Sequence, residues 1–359
     1  MRIIIISTSI GHLGSGKGGG VELTLYSLVL GLLNKGHNVK IVAPEKSQLP
    51  DKCKSAELIC VKGRVQTSWQ HMDYYASAET SEDSIVNALI DRALSISNNS
   101  DLIINLSYDL QPIKKTLVSE VPIAHLISMG DESFEISNQI KQVFSKFPYN
   151  FAFHTKTQAS DYPFINTPII VGNGFQLSNY NFCDKREGPL GWVGRVSPEK
   201  GLEDAVYVAN KLQERLNVWG YVEDEKYASM IEDLDSAKLI SWRGFLKTSD
   251  LQDELRQCRA LINTPKWNEA YGNVVVEAMA CGVPVVAYKR GGPSEIIEHG
   301  LTGYLVDPDN RDELLKYLRL ISSLDRRKCR YWVENNASTD IFAYKVENWL
   351  EKILVDFNN

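Results

Sequence analysis

The stretch "MRIIIISTSIGHLGSGKGGGVELTLYSLVLGLLNKGHNVKIVAP" (Met1–Pro44) decides the fold. Arg2–Ser7 is a β-branched run short enough to be one buried strand. The glycines of Gly11–Gly20 follow, and Val21–Lys35 then carries Leu23, Leu25, Leu28, Leu32 and Leu33 at helical spacing. Gly36 closes that helix, and Val39–Ala43 is a second apolar strand. Strand, glycine loop, helix and strand make a right-handed β-α-β unit, the building block of a parallel sheet. Asp101–Leu106 and Pro122–Ile127 continue the series.

The pattern restarts after the turn-rich stretch Gly172–Gly188. "LGWVGRVSPEKGLEDA" (Leu190–Ala205) supplies a strand and a helix from about Gly201. Further strands are expected at Leu216–Tyr221, Leu239–Trp242, Ala260–Thr264 and Val283–Tyr288. The expected architecture is α/β: two Rossmann-like parallel-sheet domains over 1–172 and 188–339, facing across a cleft. A last helix, within 340–359, can pack on either one.

Totals narrow the function classes. In 359 residues, 43% are hydrophobic and 23% charged, as in ordinary globular proteins. The net charge of −6 argues against nucleic acid or an anionic membrane as the main partner. No stretch approaches the ~18 apolar residues of a membrane span, so no stable membrane insertion is expected. Six cysteines without a C-x-x-C pair read as reduced thiols, hence a cytoplasmic protein. No motif specifies an oligomeric state.

The glycine loop nearly satisfies two phosphate motifs. Gly14, Gly16 and Gly19 fit G-x-G-x-x-G, with Glu45 as a candidate ribose acid, but Ser7–Gly14 is long for a dinucleotide turn. Gly11, Gly16 and Lys17 fit a Walker A. Gly18, however, replaces its Mg²⁺-binding hydroxyl, and Asn105 stands where a Walker B Asp belongs. A phosphate or sugar contact by the loop is the expectation.

Two later segments carry chemistry. Arg195 follows a strand and Lys200 precedes a helix, so two cations lie beside a helix start, suited to a diphosphate. In "TPKWNEAYGNVVVEAMACGVPVVA" (Thr264–Ala287), Glu269 lies in the loop after a strand, and Gly272, Asn273 and Val274 make the first helical turn. Glu277 falls on the flank of that helix. The triplets Asp233–Asp235 and Asp307–Asp309 are discounted as metal sites: one is helical, and the other caps a helix near Asn310 with Glu313.

These segments resemble the retaining glycosyltransferases of family 4, which have the GT-B fold. The likeness rests on "GGGVELTLYSLVLGLLNKGHNVKIVAP", "AHLISMG", "VGNGF", "GWVGRVSPEKGLEDA", "WRGF", the Glu-x7-Glu segment and "GGPSEIIEHGLTGYLVDP", in order along the chain. The resemblance implies that Arg195 and Lys200 neutralise the donor diphosphate, Glu277 holds the ribose, and Glu269 and His125 contact the donor sugar. It implies that Gly272, Asn273, Val274 and Gly19 approach the phosphates, and that backbone at Arg243, Gly244 and Phe245 reads the base. Cations and helix amides can stabilise a leaving group without a metal, so no metal and no cofactor beyond the co-substrate UDP-glucose are expected.

The same segments look closest to a bacterial subgroup that glucosylates a reduced pterin, tetrahydrobiopterin. His12, Met129, Asp131 and His154 are the acceptor-side candidates, near the aromatic segments Trp69–Tyr75 and Phe147–His154. Asp131 suits the amino-pyrimidinone edge of a pterin. Competing readings are a lipid-linked or cell-wall acceptor, a UDP-N-acetylglucosamine donor, a non-catalytic sugar-nucleotide sensor, and an NAD(P)-dependent oxidoreductase using Gly14–Gly19.

Overall fold

In the computed structural model, which describes residues 1–358, the isoleucine run forms the centre of a parallel sheet. Strand β1 (Arg2–Ile6) pairs with β2 (Asn38–Pro44) on one side, in register Ile3 with Val39. Beyond β2 lies β3 (Glu57–Val61). On the other side of β1 come β4 (Leu102–Asn105), β5 (Ile123–Ile127), β6 (Phe151–Phe153) and β7 (Ile169–Ile170). The order is β3-β2-β1-β4-β5-β6-β7, with every pairing parallel.

A strand covered on both faces needs apolar residues along its buried length, and β1 has them from Ile3 to Ile6. Ile3 and Ile5 enter one core with Leu25, Leu28, Val29 and Leu32; Ile4 and Ile6 enter another with Ile85, Leu89 and Ile90. The first helix, Gly20–Asn34, thus buries Leu25, Leu28, Val29 and Leu32, while Leu23 stays only partly buried. The C-terminal helix Thr339–Phe357 covers the same face through Phe342, Val346, Trp349, Leu350 and Ile353. Gly31 permits this approach, since a Cβ there would lie 2.5 Å from the Ala343 Cβ. Glu347 adds an ion pair to Lys35 at 2.6 Å and a hydrogen bond with His37 at 2.8 Å.

Met1–Phe175 and the segment from Thr339 onward form one unit; Gln176–Ser338 form the second. The second unit has a six-stranded sheet of β8 (Leu190–Val193), β9 (Leu216–Trp219), β10 (Ile240–Gly244), β11 (Ala260–Asn263), β12 (Val285–Tyr288) and β13 (Gly303–Val306). Its order is β10-β9-β8-β11-β12-β13, again all parallel. The reversal of order falls between β8 and β11, where doubly wound sheets bind ligands beyond their carboxyl ends. Much of the turn-rich segment between the two sets of strands belongs to this second unit. Phe182 packs against Gly282, the Cys183 amide donates to Cys281, and Tyr180 reaches Glu277. Among the described residues, no helix is long and apolar enough to cross a membrane.

Candidate functional site in the second unit

The two strands flanking the reversal carry the acid and base side chains at their carboxyl ends. After β8 the chain turns through Arg195, a one-turn helix Pro198–Lys200, and Gly201 in the left-handed region at φ 65°. Gly201 is required, because a Cβ would run into the Thr264 carbonyl after β11. The Thr264 hydroxyl donates to the Gly201 carbonyl at 2.7 Å, joining the two loops.

Neither cation stands free. Arg195 is paired with Glu223 at 2.6 Å and with Glu199 at 3.2 Å. Lys200 is paired with Glu269 and lies 4.7 Å from the centre of the Trp267 ring. Trp267 Nε1 donates to the same Glu269 oxygen at 2.9 Å. Burial pushes the Glu269 carboxyl up, but the Lys200 charge, the hydrogen bonds from Lys200 and Trp267, and Arg195 outweigh it. They hold the group below the ordinary glutamate range.

Gly291 and Gly292 seat the Glu269 loop. The Gly292 amide donates to the Glu269 carbonyl at 2.7 Å, and side chains on either glycine would strike the backbone of Glu269 or Tyr271. Sequence reading quoted this "GGPSE" segment without giving it a role; the glycine pair was the available signal.

Gly272, at φ 95°, turns the chain into the helix Asn273–Ala280. The amides of Asn273 and Val274 open that helix, ahead of any intrahelical donor–acceptor ladder. Glu277 lies one turn on and is 5% exposed; one carboxylate oxygen accepts from the Tyr180 hydroxyl at 3.1 Å. Burial raises the Glu277 carboxyl to about 7, against the lowering pull of Tyr180. No pattern in the sequence pointed to Tyr180, which comes from a loop 97 positions away.

Arg243 sits where the β9–β10 register shifts, and its side chain makes a two-pronged pair with Glu254 at 2.6 and 3.0 Å. The Gly244 carbonyl accepts from Gly220 at 2.9 Å, while Phe245 is 59% exposed. A separate hollow of about 1230 Å³ opens among Arg186, Arg215, Lys238 and Arg319, at the amino ends of β8, β9 and β10. It lies at the opposite strand ends from Arg195 and Glu269. The acidic triplets are occupied structurally. Asp235 caps the start of β10 through the Leu239 and Ile240 amides, and Asp309 pairs with Lys266 and Arg290. Asn310 caps its helix through the Glu313 amide, but Glu313 reaches back to Asp307 instead of to the cap residue.

In the first unit three expectations are corrected. His125, expected at the donor sugar, is inside β5, 0% exposed, beneath Phe151 with ring centres 5.0 Å apart. Asn105 donates to Nδ1 at 3.1 Å and Nε2 bonds Thr116 at 2.7 Å, so both ring nitrogens are committed. Burial lowers its pKa to about 3, leaving it neutral. His154 is buried too; its Nδ1–H donates to the Gly172 carbonyl at 2.7 Å and burial lowers it to about 4. Met129 is a core side chain, and its carbonyl accepts from Gln158 at 2.9 Å. Phe151 and Phe153 are β6 core residues.

Asp131 fares differently. One oxygen accepts from Tyr74 at 3.2 Å and Ser137 at 3.1 Å, while Oδ1 is buried with no partner. Burial raises its pKa, against the lowering effect of those two hydroxyls. His12 is partly buried at the mouth of the glycine loop, its carbonyl taken by the Ser15 amide. Gly19 is exposed at the start of the first helix, with φ 53° and ψ −131°, a region closed to other residues.

The geometry has a class. Residues 183–339 match the protein family described as Glycosyl transferases group 1, and the fold of the chain is GT-B. Among solved structures it is similar to Anabaena Alr3699/HepE in complex with UDP and glucose, with TM-score 0.73 and 16% identity, covering 98% of this chain and 100% of that one. AviGT4, a glycosyltransferase involved in Avilamycin A biosynthesis, gives 0.72 and 15%, covering 99% and 98%.

Particular sequence relatives are sucrose synthases. Sucrose synthase 2 of Pisum sativum is 27% identical over 261 residues, which is 62% of this chain and 31% of the relative. The sucrose synthase of Acidithiobacillus caldus is 32% identical over 148 residues, 39% and 18% respectively. The matched part thus spans about a third or less of these relatives.

Proposed function

We propose that the chain is a retaining glucosyltransferase that moves glucose from UDP-glucose to a small acceptor, tetrahydrobiopterin. The observation that carries the reading is the clustering of Arg195, Lys200 and Glu269 just before the helix Asn273–Ala280, on which Glu277 lies one turn on, inside the segment that matches the glycosyltransferase family. UDP-glucose is favoured as donor because the Anabaena neighbour binds it and the relatives are sucrose synthases.

In the transfer, the bond between the anomeric carbon and the β-phosphate oxygen breaks, and the acceptor hydroxyl oxygen takes that carbon while its proton passes to the departing diphosphate. Negative charge grows on the departing diphosphate. Arg195 and Lys200 stabilise it by exchanging their carboxylate partners, Glu223 and Glu269, for phosphate oxygens, with the amides of Asn273 and Val274 adding fixed dipoles. Glu277 accepts from the ribose hydroxyls. Backbone near Arg243–Phe245 faces the base.

For the acceptor, the unpartnered Asp131 oxygen supports a ligand that donates hydrogen bonds, as the amino-pyrimidinone edge of a pterin does. A nucleotide titration tests the donor reading. UDP raises the melting temperature and NAD(H) does not; the reverse pattern returns the oxidoreductase reading.

A further inference from the structure

The glycine loop Gly11–Gly20 is closed around a carboxylate of its own chain. Glu22, third residue of the first helix, is 5% exposed. Its Oε2 accepts from the Gly14 amide at 2.8 Å, and its Oε1 accepts from the Gly18 amide at 3.0 Å and the Ser15 hydroxyl at 3.4 Å. Other loop amides are spent locally: Ser15 on the His12 carbonyl, Lys17 on the Ser15 hydroxyl, Gly19 on the Gly16 carbonyl.

Gly11, Gly14, Gly16 and Gly19 all have positive φ, so the loop can fold back this tightly. At Gly18 a Cβ would lie 2.9 Å from both the Glu22 Cγ and the Thr8 Cγ2, so the backbone is pressed between the carboxylate and the end of β1. A loop of this kind attracts an anion to its amides, and here the anion is internal. Outward it exposes Gly14, Gly16, Lys17, Gly19 and Gly20, but of these the Gly14 amide is held by Glu22.

We propose that Glu22 is a positioning residue for transfer. It fixes the loop so that Lys17 and the Gly19–Gly20 backbone are what a substrate meets, and the loop amides do not cradle the donor diphosphate. The role in transfer rests on the glycosyltransferase reading; the latch itself does not. Four glycines at positive φ leave the unlatched chain many alternatives, so losing the carboxylate bonds spreads the loop over conformations that productive binding must then reverse.

Two variants approach the latch from opposite sides. Glu22→Gln keeps the volume but sets an NH₂ against one of the two amides. Gly18→Ala pushes on the carboxylate without changing its charge. Both are expected to lose at least tenfold in kcat/KM for glucose transfer while the calorimetric Kd for UDP changes less than twofold. Tryptic cleavage after Lys17 is expected to quicken at least tenfold, a readout that needs no glucose transfer. Turnover within twofold of wild type, unchanged cleavage, or a UDP affinity that falls in step with kcat/KM overturns the proposal. A wild-type chain that neither binds UDP nor turns over UDP-glucose strikes the glycosyltransferase reading instead, and the cleavage rates still decide the latch.

Discussion

The Lys200 ammonium and the Glu269 carboxylate are paired against the face of Trp267, although they follow different strands, β8 and β11. The pair spans the point where the sheet order reverses. It links the loop that carries Arg195 to the loop that opens the helix Asn273–Ala280.

Lys200→Met leaves Glu269 with its burial and without its main counter-charge. In the wild type the depressed carboxyl contributes stability above its unfolded value of 4.5, lost as pH falls through the lower folded value. In the variant burial dominates and the sign reverses. Thermal melts should show a variant less stable than wild type at pH 7, with the gap narrowing toward pH 4. Turnover at pH 7 should fall ~100-fold if the ammonium acts on the leaving group.

Arg195→Ala should lower kcat by ~100-fold or more, since its charge matters most as the diphosphate departs. Glu223→Gln has the opposite sense. It removes one carboxylate partner from Arg195 and leaves Glu199, and donor KM is expected to fall about threefold, the scale of such pairs. Steady-state kinetics with UDP-glucose checks both; an unchanged KM in Glu223→Gln removes the partner exchange from the mechanism.

Glu277 sets a second pH dependence. Its carboxyl is raised from 4.5 to about 7, so the stability it contributes is present below 4.5 and disappears as pH rises through 7. Glu277→Gln stays neutral, and its melting temperature relative to wild type should climb between pH 5 and pH 8 in the absence of nucleotide. Its donor KM should rise, because a carboxamide has one acceptor oxygen for the ribose.

His125→Leu separates packing from contact with substrate. It leaves Asn105 and Thr116 without their buried partner, a loss of about 2–4 kcal/mol by the cost of unsatisfied polar groups. Denaturant unfolding should show that loss while kcat per folded molecule stays within about twofold of wild type. A large kcat effect with intact stability would restore a direct role for the imidazole.

The sequence made the alternation of strands and helices readable because β1, β4 and β5 are covered on both faces and so are mostly apolar, Asn105 and His125 being the buried polar exceptions. Three-residue β6 and two-residue β7 are too short to show periodicity, and the aromatics of β6 resembled a loop cluster. Of the motif residues, Arg195, Lys200 and Glu269 fall close together, since each follows a strand end next to the reversal. Their ion-pair partners were not readable. Glu223 lies 28 positions from Arg195, and no local pattern records a pairing across the sheet. Glu22 was the exception that could have been found: an acid at the third helical position, after a glycine run, is placed to reach back to loop amides.

The most direct test of the central claim is a mass-spectrometric turnover assay with UDP-glucose and anaerobically reduced biopterin, without added metal. The account predicts a pterin heavier by one hexose, with one UDP released per glucoside formed. Intact UDP-glucose after prolonged incubation, together with no rise in melting temperature on adding UDP, would contradict it.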